Sequence, residues 1–295
     1  MKFTCIRSLT LLMLVTLAVW SCSPSKKEGA NSEEFKQAEE SLQQQIEEVM
    51  YNIPSPSEIP YLLEATGAEY NPSLINDKAK ADQYASRSDK ASLNLGVYAA
   101  DIGYLSSYGK TQDAIDYLNA CKKLADNLGV VGSFDMVILQ QFESNIGNKD
   151  SLATILNRSI QQTDKYLKDD SRNKLAALML TGSFVEGLYI STGLIKSYPK
   201  NILPDDARNL ILTPLIRVII EQEKSVGELL RMLGSLEQDE MIAGLVTDLT
   251  SLQASYRAMN IQEQIKNNRA DLVLTDKNLI EITNLIEKIR QSMTS

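Results

Sequence analysis

The sequence predicts an all-α protein, a bundle or array of about ten helices without a sheet. After the first thirty residues, apolar side chains recur three or four positions apart along almost the whole chain, which is the period of amphipathic helices. No run of alternating apolar and polar residues forms a convincing strand, and no hairpin turn joins two such runs. The chain has 295 residues, 43% of them hydrophobic and 23% charged, enough for a substantial globular core.

The composition excludes several classes of function. The chain contains no histidine, which removes the usual general base, the commonest metal ligand and every histidine-activated nucleophile. Its net charge of −8 leaves no basic face for nucleic acid. We find no phosphate-binding loop, nucleophile elbow or dinucleotide fingerprint. The sequence therefore predicts no metal, no cofactor and no catalytic residue set, and it favours a protein that is not an enzyme.

The N-terminal stretch "MKFTCIRSLTLLMLVTLAVWSC" has the features of an export signal. Lys2 and Arg7 precede an apolar segment, Leu9–Val19, that is short for a membrane span. Its end, with Ser21 before Cys22, resembles the bacterial lipobox, in which the cysteine is diacylated and becomes the new N-terminus. The resemblance implies a signal peptide over residues 1–21 and a lipid, such as palmitate, on Cys22. The alternative is an ordinary cleaved signal followed by an incidental cysteine.

Residues 22–31 carry the expected lipid site and a small, polar stretch that is typical of a flexible tether. The chain resembles the all-helical lipoproteins of Bacteroidota, in which acidic residues directly after the cysteine accompany export to the cell surface. Here residues 23–27 are Ser-Pro-Ser-Lys-Lys, so the resemblance implies a periplasm-facing protein of the cell envelope, on either the inner or the outer membrane. It implies no biochemical activity.

Residues 32–295 contain no Gly-, Pro- or Ser-rich linker, so we predict a single helical domain. Asn31 and Glu34 have capping-box spacing before the first helix, and Gly67 and Gly129 are expected to end later ones. The expected order is a helix to residue 49, a short helix to residue 67, and two helices near 88–107 and 111–128.

The second half of the chain predicts further helices in the same way. We expect them to begin at Asp150, Ser171 and Pro204, where polar side chains or a proline suit a first turn, and Pro214 is expected to kink or restart the third. Two more helices are expected near residues 242–256 and from Thr275 onward.

A weak self-similarity relates residues 84–130 to residues 166–220. Both segments contain a helix start, a lysine, a glycine-aromatic pair and a lone acid, in "SDK…GVYAADIGY" and "SRNK…GSFVEGLY". It is consistent with an internal duplication or with two similar core helices.

Two charge-poor runs each carry a single carboxylate near the middle. Asp101 is the only charged residue in Ala91–Gly109, and Glu186 is the only one in Leu175–Ile195. A centred carboxylate is costly in lipid, so we expect central helices of a bundle rather than membrane spans. The small residues Gly96 and Gly103 are expected to let a neighbouring helix approach closely.

Polar residues surround both acids on the helical wheel, and we name them as a candidate ligand or ion pocket: Asp101, Glu186, Asn94, Tyr98, Tyr108 and Tyr189. In one interpretation each carboxylate has its own hydrogen-bonding or arginine partner, because burial is costly otherwise. In the other, the two acids meet in a pocket, where they hold a cation or an amine, or one carries a raised pKa.

Tyrosine and cysteine add two smaller expectations. Eight of the twelve tyrosines lie between Tyr51 and Tyr117, a distribution that suits helix packing or a ligand groove. Cys5 lies in the predicted signal and Cys22 at the predicted lipid site, which leaves Cys121 without a disulfide partner and without the companions of a zinc site. We expect it to be a buried thiol.

The sequence thus predicts a lipid-anchored envelope protein that binds a protein partner or a small ligand. Two other classes stay open: a histidine-free enzyme that uses Asp101 and Glu186 as an acid/base pair, and a purely structural helical spacer. A cavity shared by both carboxylates would favour the enzyme, whereas two buried and separately paired carboxylates would favour the spacer.

Overall fold

A computed structural model describes residues 68–130, 148–169, 172–198, 204–259 and 269–295, with isolated positions at 40–41, 44–46, 138, 140–141, 144–145 and 266–267. These residues belong to one compact unit, residues 39–295. The described residues contain helices and short 3₁₀ turns but no strand, so the predicted all-α fold is confirmed. The helices are α1 Ala81–Tyr84, α2 Ser88–Ser107, α3 Thr111–Asn127, α4 Lys149–Asp169, α5 Asn173–Ser197, α6 Asp205–Ile220, α7 Glu223–Gly234, α8 Glu240–Ala258, α9 Ala270–Leu274 and α10 Lys277–Met293.

Most helix boundaries follow the local sequence. The last helix begins at Lys277 rather than Thr275, because the Asp276 side chain caps it by accepting the Asn278 N–H. Helix α6 is continuous from Asp205 to Ile220, so it does not restart at Pro214, and the alternative of a kink there stays a prediction. Because proline has no N–H, Pro214 cannot pair with the Leu210 carbonyl four residues earlier.

Several sequence predictions lie outside the described residues. They are the signal peptide, the lipid site, the tether, the Ser171 helix start, and the first two helices apart from positions 40–41 and 44–46, which are helical. The start of the single domain at residue 32 also lies there and stays a prediction.

Helices α2 and α5 form the centre of the fold and run parallel. Near their N-terminal ends the Ser92 hydroxyl donates to the Leu175 carbonyl, and the glycine contacts follow in the same direction along both helices. A Cβ on Gly96 would lie 1.9 Å from the Met179 carbonyl oxygen, and a Cβ on Gly182 would lie 2.0 Å from that of Leu93. The two backbones therefore touch directly, as small residues at a helix interface allow.

The glycine contacts are reciprocal. Gly96 lies against Met179, and Gly182 lies against Leu93, so each glycine meets the residue three positions before the other. Such a contact is what a duplicated helix would make with its copy, and its spacing agrees with the self-similarity seen in the sequence. The duplication itself stays a prediction.

The remaining helices cover this pair. Helix α3 packs on α2, α4 contacts both central helices, and α10 lies between α5 and α8. Helix α5 is long and apolar enough to cross a bilayer, yet 83% of its most apolar window is buried inside the protein. That burial is also what a core helix requires.

Replacing either interface glycine by alanine is expected to destabilise the protein by about 3 kcal/mol, because the new methyl group would meet backbone atoms that cannot rotate away. Gly187→Ala, in the same helix, is the matched control. A Cβ there meets nothing within 4 Å, so alanine is expected to stabilise by up to about 1 kcal/mol through helix propensity. Urea unfolding followed by far-UV circular dichroism checks both results; equal effects would contradict the direct backbone contact.

Candidate functional site

The parallel arrangement of α2 and α5 brings Asp101 and Glu186 together. Both side chains are fully buried, and each carboxyl group lies close enough to influence the pKa of the other. Sequence reasoning left open whether these acids meet. They do, in the half of the helix pair beyond the glycine contacts.

Arg290 of α10 completes the cluster. Its Nε and Nη2 atoms each lie 3.1 Å from a Glu186 carboxylate oxygen, a bidentate pair. The guanidinium also lies 4.5 Å from the centre of the Tyr189 ring, which provides a cation–π contact. Sequence analysis did not name this arginine, although it follows the apolar stripe of the last helix, four residues after the buried Ile286.

The cluster holds two acids against one guanidinium, so one proton makes it neutral. Burial, and then the charge of Glu186, raises the pKa of Asp101 well above its usual value. Burial also raises the pKa of Glu186, but the Arg290 charge and hydrogen bonds oppose that rise. Asp101 is therefore the acid that holds a proton more readily, and Glu186 is the carboxylate that Arg290 stabilises.

The hydrogen bonds of Asp101 agree with this assignment. Its Oδ2 atom accepts the Asn76 backbone N–H at 3.1 Å. Its buried Oδ1 atom has no hydrogen-bond partner among the described residues, which disfavours the charged form of this carboxyl group. Asp101 thus links the irregular segment 71–80 to the centre of the fold.

The other four predicted site residues do not share one location. Tyr189 contacts the cluster through Arg290. Asn94 is buried and donates to the Met293 and Lys90 carbonyls, close to the C-terminal end of α10 but not to the acids. Tyr98 donates to the Asp77 carbonyl. Tyr108 lies at the far end of α2, with its ring against Tyr70 and Tyr104.

Tyrosine hydroxyls hold segment 71–80 in place. The Tyr117 hydroxyl donates to the Asn76 carbonyl, Tyr98 binds the next carbonyl, and the Tyr104 hydroxyl accepts the Asn71 N–H. Ring contacts join Tyr98 to Tyr117 and to Tyr84, whereas the Tyr104 ring packs on Tyr70. These tyrosines therefore pack helices together and form hydrogen bonds with the backbone of an irregular segment. This agrees with the helix-packing interpretation of the uneven tyrosine distribution.

The described side chains around the acid cluster close it to solvent. Neither carboxylate is exposed, and neither lines the pockets found in the described part of the chain. No group of three or more metal-binding side chains occurs among the described residues. Cys121 is also buried, and burial raises the pKa of its thiol, so it is an unreactive core residue. The geometry of the cluster supports holding a proton and anchoring α10.

A second site lies between α5, α6, α9 and α10, and sequence analysis did not predict it. Helices α6 and α10 both pack on α5 and α9 but make little contact with each other, which leaves a cleft of about 420 Å³. Its floor consists of buried side chains: Thr192, Ile195, Leu212, Ile216, Ile219 and Leu279. A cleft of this size with an apolar floor and a few polar groups is typical of small-molecule sites.

The polar groups of the cleft are charged residues with partners. Arg208 pairs with Asp205, and Lys196 pairs with Glu287. Asp271 pairs with Arg269, whose hydrogen bonds lower the Asp271 pKa to about 2, so this carboxylate stays ionised.

The apolar surface continues outside the cleft. The large hydrophobic side chains that are exposed in the described ranges are Leu210, Leu272 and Ile280, and they belong to the helices that form the cleft. Ile280 lies on its rim. The Asn209–Asp271 hydrogen bonds hold α6 against α9, beside the other two. Of these three residues, Ile280 alone lines the cleft, so the apolar surface reaches the opening there.

Comparison with known proteins adds no functional assignment. No family model matches the chain, and no curated protein and no solved structure is significantly similar to it. The functional argument therefore depends on the residues of the two sites.

Asp101→Asn is expected to change the free energy of unfolding by less than about 1 kcal/mol near pH 4, where the raised pKa keeps the natural carboxyl group neutral and an amide oxygen can accept the Asn76 N–H in its place. Glu186→Gln is expected to cost about 3 kcal/mol, because it leaves the Arg290 guanidinium without its carboxylate. Urea unfolding near pH 4 checks the asymmetry. A loss in the asparagine variant as large as that in the glutamine variant would contradict it.

The pH dependence provides a second test of the same assignment. A carboxyl group whose pKa is raised by folding favours the folded state below its unfolded pKa of about 4 and loses that contribution as pH rises through its folded pKa. Asparagine has no such dependence. The stability of Asp101→Asn relative to the natural protein is therefore expected to increase with pH above about 4, by at most about 1.4 kcal/mol per pH unit.

Proposed function

We propose that this chain is a lipid-anchored, periplasm-facing protein of the cell envelope whose helical domain binds a small, mainly apolar ligand in the cleft between α5, α6, α9 and α10. The observation that carries the proposal is the cleft itself. Its volume of about 420 Å³, its buried apolar floor and its charged rim are those of a ligand site rather than a packing defect.

The acid cluster supports this choice by its own chemistry. A catalytic acid/base pair must reach a substrate, whereas both acids are buried, with Asp101 accepting the Asn76 N–H and Glu186 paired with Arg290. Their contacts suit a structural anchor. Because Arg290 and the cleft residues Leu279 and Thr283 belong to α10, the anchor also fixes one wall of the cleft.

The envelope location is supported by the lipobox-like end of the signal segment. Cys22→Ser is expected to abolish acylation and to release the protein from the membrane fraction, because serine offers no thiol for lipid attachment. Labelling with a clickable palmitate analogue and cell fractionation measure the two effects. Cys121→Ser is the control, since this thiol is buried in the fold; unchanged labelling of the Cys22 variant would contradict lipid anchoring.

Ligand binding is tested with a neutral apolar fluorophore, N-phenyl-1-naphthylamine, whose emission increases in an apolar site. Thr283→Trp is expected to weaken binding at least about tenfold, because the indole would fill the cleft that Thr283 lines. Thr247→Trp is the matched control, on the exposed side of α8. In both threonines the hydroxyl bonds only the carbonyl four residues earlier. Failure of the natural protein to bind the probe would overturn the proposed function.

A further inference from the structure

We propose that the ligand of the cleft is a single-chain anionic amphiphile, with its head group at Arg208 and its alkyl chain along α6 toward Ile219. This inference rests on the proposed function, and it names the chemical class that the cleft recognises. Three features carry it. They are the length of the apolar stripe that Leu212, Ile216 and Ile219 form on α6, the burial of Arg208 at the end of this stripe, and the exposed Ile280 side chain on the rim of the cleft.

The stripe has the shape that an extended alkyl chain requires. Arg208, Leu212, Ile216 and Ile219 all line the cleft from one face of α6. At 1.5 Å per residue they extend over about 16 Å of the helix. Leu279 of α10 and Ile195 of α5 line the cleft from the other helices, so the cleft is long, narrow and apolar along most of its length. A branched or bulky ligand would not use this shape.

The polar end of the stripe favours a negative head group. The Arg208 side chain is 13% exposed, whereas its partner Asp205 is 76% exposed. Solvent screens the charge of an exposed carboxylate much more than that of a buried guanidinium. Of the charged side chains that line the cleft, Arg208 is the most buried, since Asp271 is 30% and Lys196 62% exposed.

A ligand carboxylate or phosphate can take the place of Asp205 on Arg208 at little cost. An ion pair with one exposed member contributes little to stability, so its loss is small. The ligand's head group would keep a charge-assisted hydrogen bond to a guanidinium that is already held in place. Lys196 also lines the cleft, but its charge is paired with Glu287, so Arg208 is the cation on which the head group depends.

The exposed apolar residues suit the way such a ligand arrives. An amphiphile partitions between water and membranes, and the exposed Ile280 side chain gives its chain an apolar contact at the opening. Free fatty acids and lysophospholipids share this chemistry, an anionic head group on one alkyl chain, and the experiment distinguishes them.

The experiment measures displacement of N-phenyl-1-naphthylamine from the full protein by dodecanoate, lauroyl lysophosphatidylglycerol and neutral 1-dodecanol, below their critical micelle concentrations. We expect at least one anionic compound to bind about tenfold more tightly than the alcohol. Within an alkanoate series, affinity should rise about fourfold per methylene until the chain reaches about 16 Å, and then level off. The tighter of the two anionic compounds identifies the source of the ligand.

Arg208→Met separates head-group recognition from apolar binding. Methionine keeps an apolar stem in the cleft but removes the charge, so dodecanoate should lose at least about tenfold in affinity while 1-dodecanol is unchanged. The control is Arg217→Met, on the exposed side of the same helix, which should alter neither. Equal affinities for the anion and the alcohol, or no effect of Arg208→Met, would overturn this inference while the proposed function stands. Absence of binding by the fluorophore and by every amphiphile would overturn both.

Discussion

The bidentate pair between Arg290 and Glu186 is the interaction on which the centre of this protein depends. It places a guanidinium from the last helix against a fully buried carboxylate of α5, and the charge of that carboxylate adds to the burial that raises the pKa of the neighbouring Asp101. The same aspartate accepts a backbone N–H from Asn76. One cluster thus joins α2, α5, α10 and the irregular segment before α1, and none of its members can ionise or move without affecting the others.

The cleft follows from how the outer helices are held. Helix α10 is fixed to α5 by the ion pair and to α8 by apolar packing, and α6 is fixed to α9 by the paired hydrogen bonds of Asn209 and Asp271. Because α6 and α10 are anchored to other elements, the space between them stays open and apolar. A site built on rigid helices in this way is preorganised for its ligand.

The close approach of α2 and α5 makes the buried cluster possible. Gly96 and Gly182 bring the two backbones into contact, and Asp101 and Glu186 follow within two turns of these glycines. A larger residue at either glycine would push the helices apart and separate the carboxyl groups. The tyrosines act on the other side of α2, where their hydroxyls satisfy the carbonyl and amide groups of segment 71–80.

The sequence by itself determined the helical fold, because the apolar period of 3.6 residues and local caps such as Gly129 act within single elements. It also identified Asp101 and Glu186 as unusual, since one charge in a long apolar run needs an explanation, and it named Gly96 as a contact point. Only the tertiary structure decided that the acids meet, that Arg290 pairs with one of them, and that a cleft opens between α6 and α10. These facts depend on which helices are neighbours across long separations, such as the 104 residues between Glu186 and Arg290, and local sequence patterns do not encode that choice.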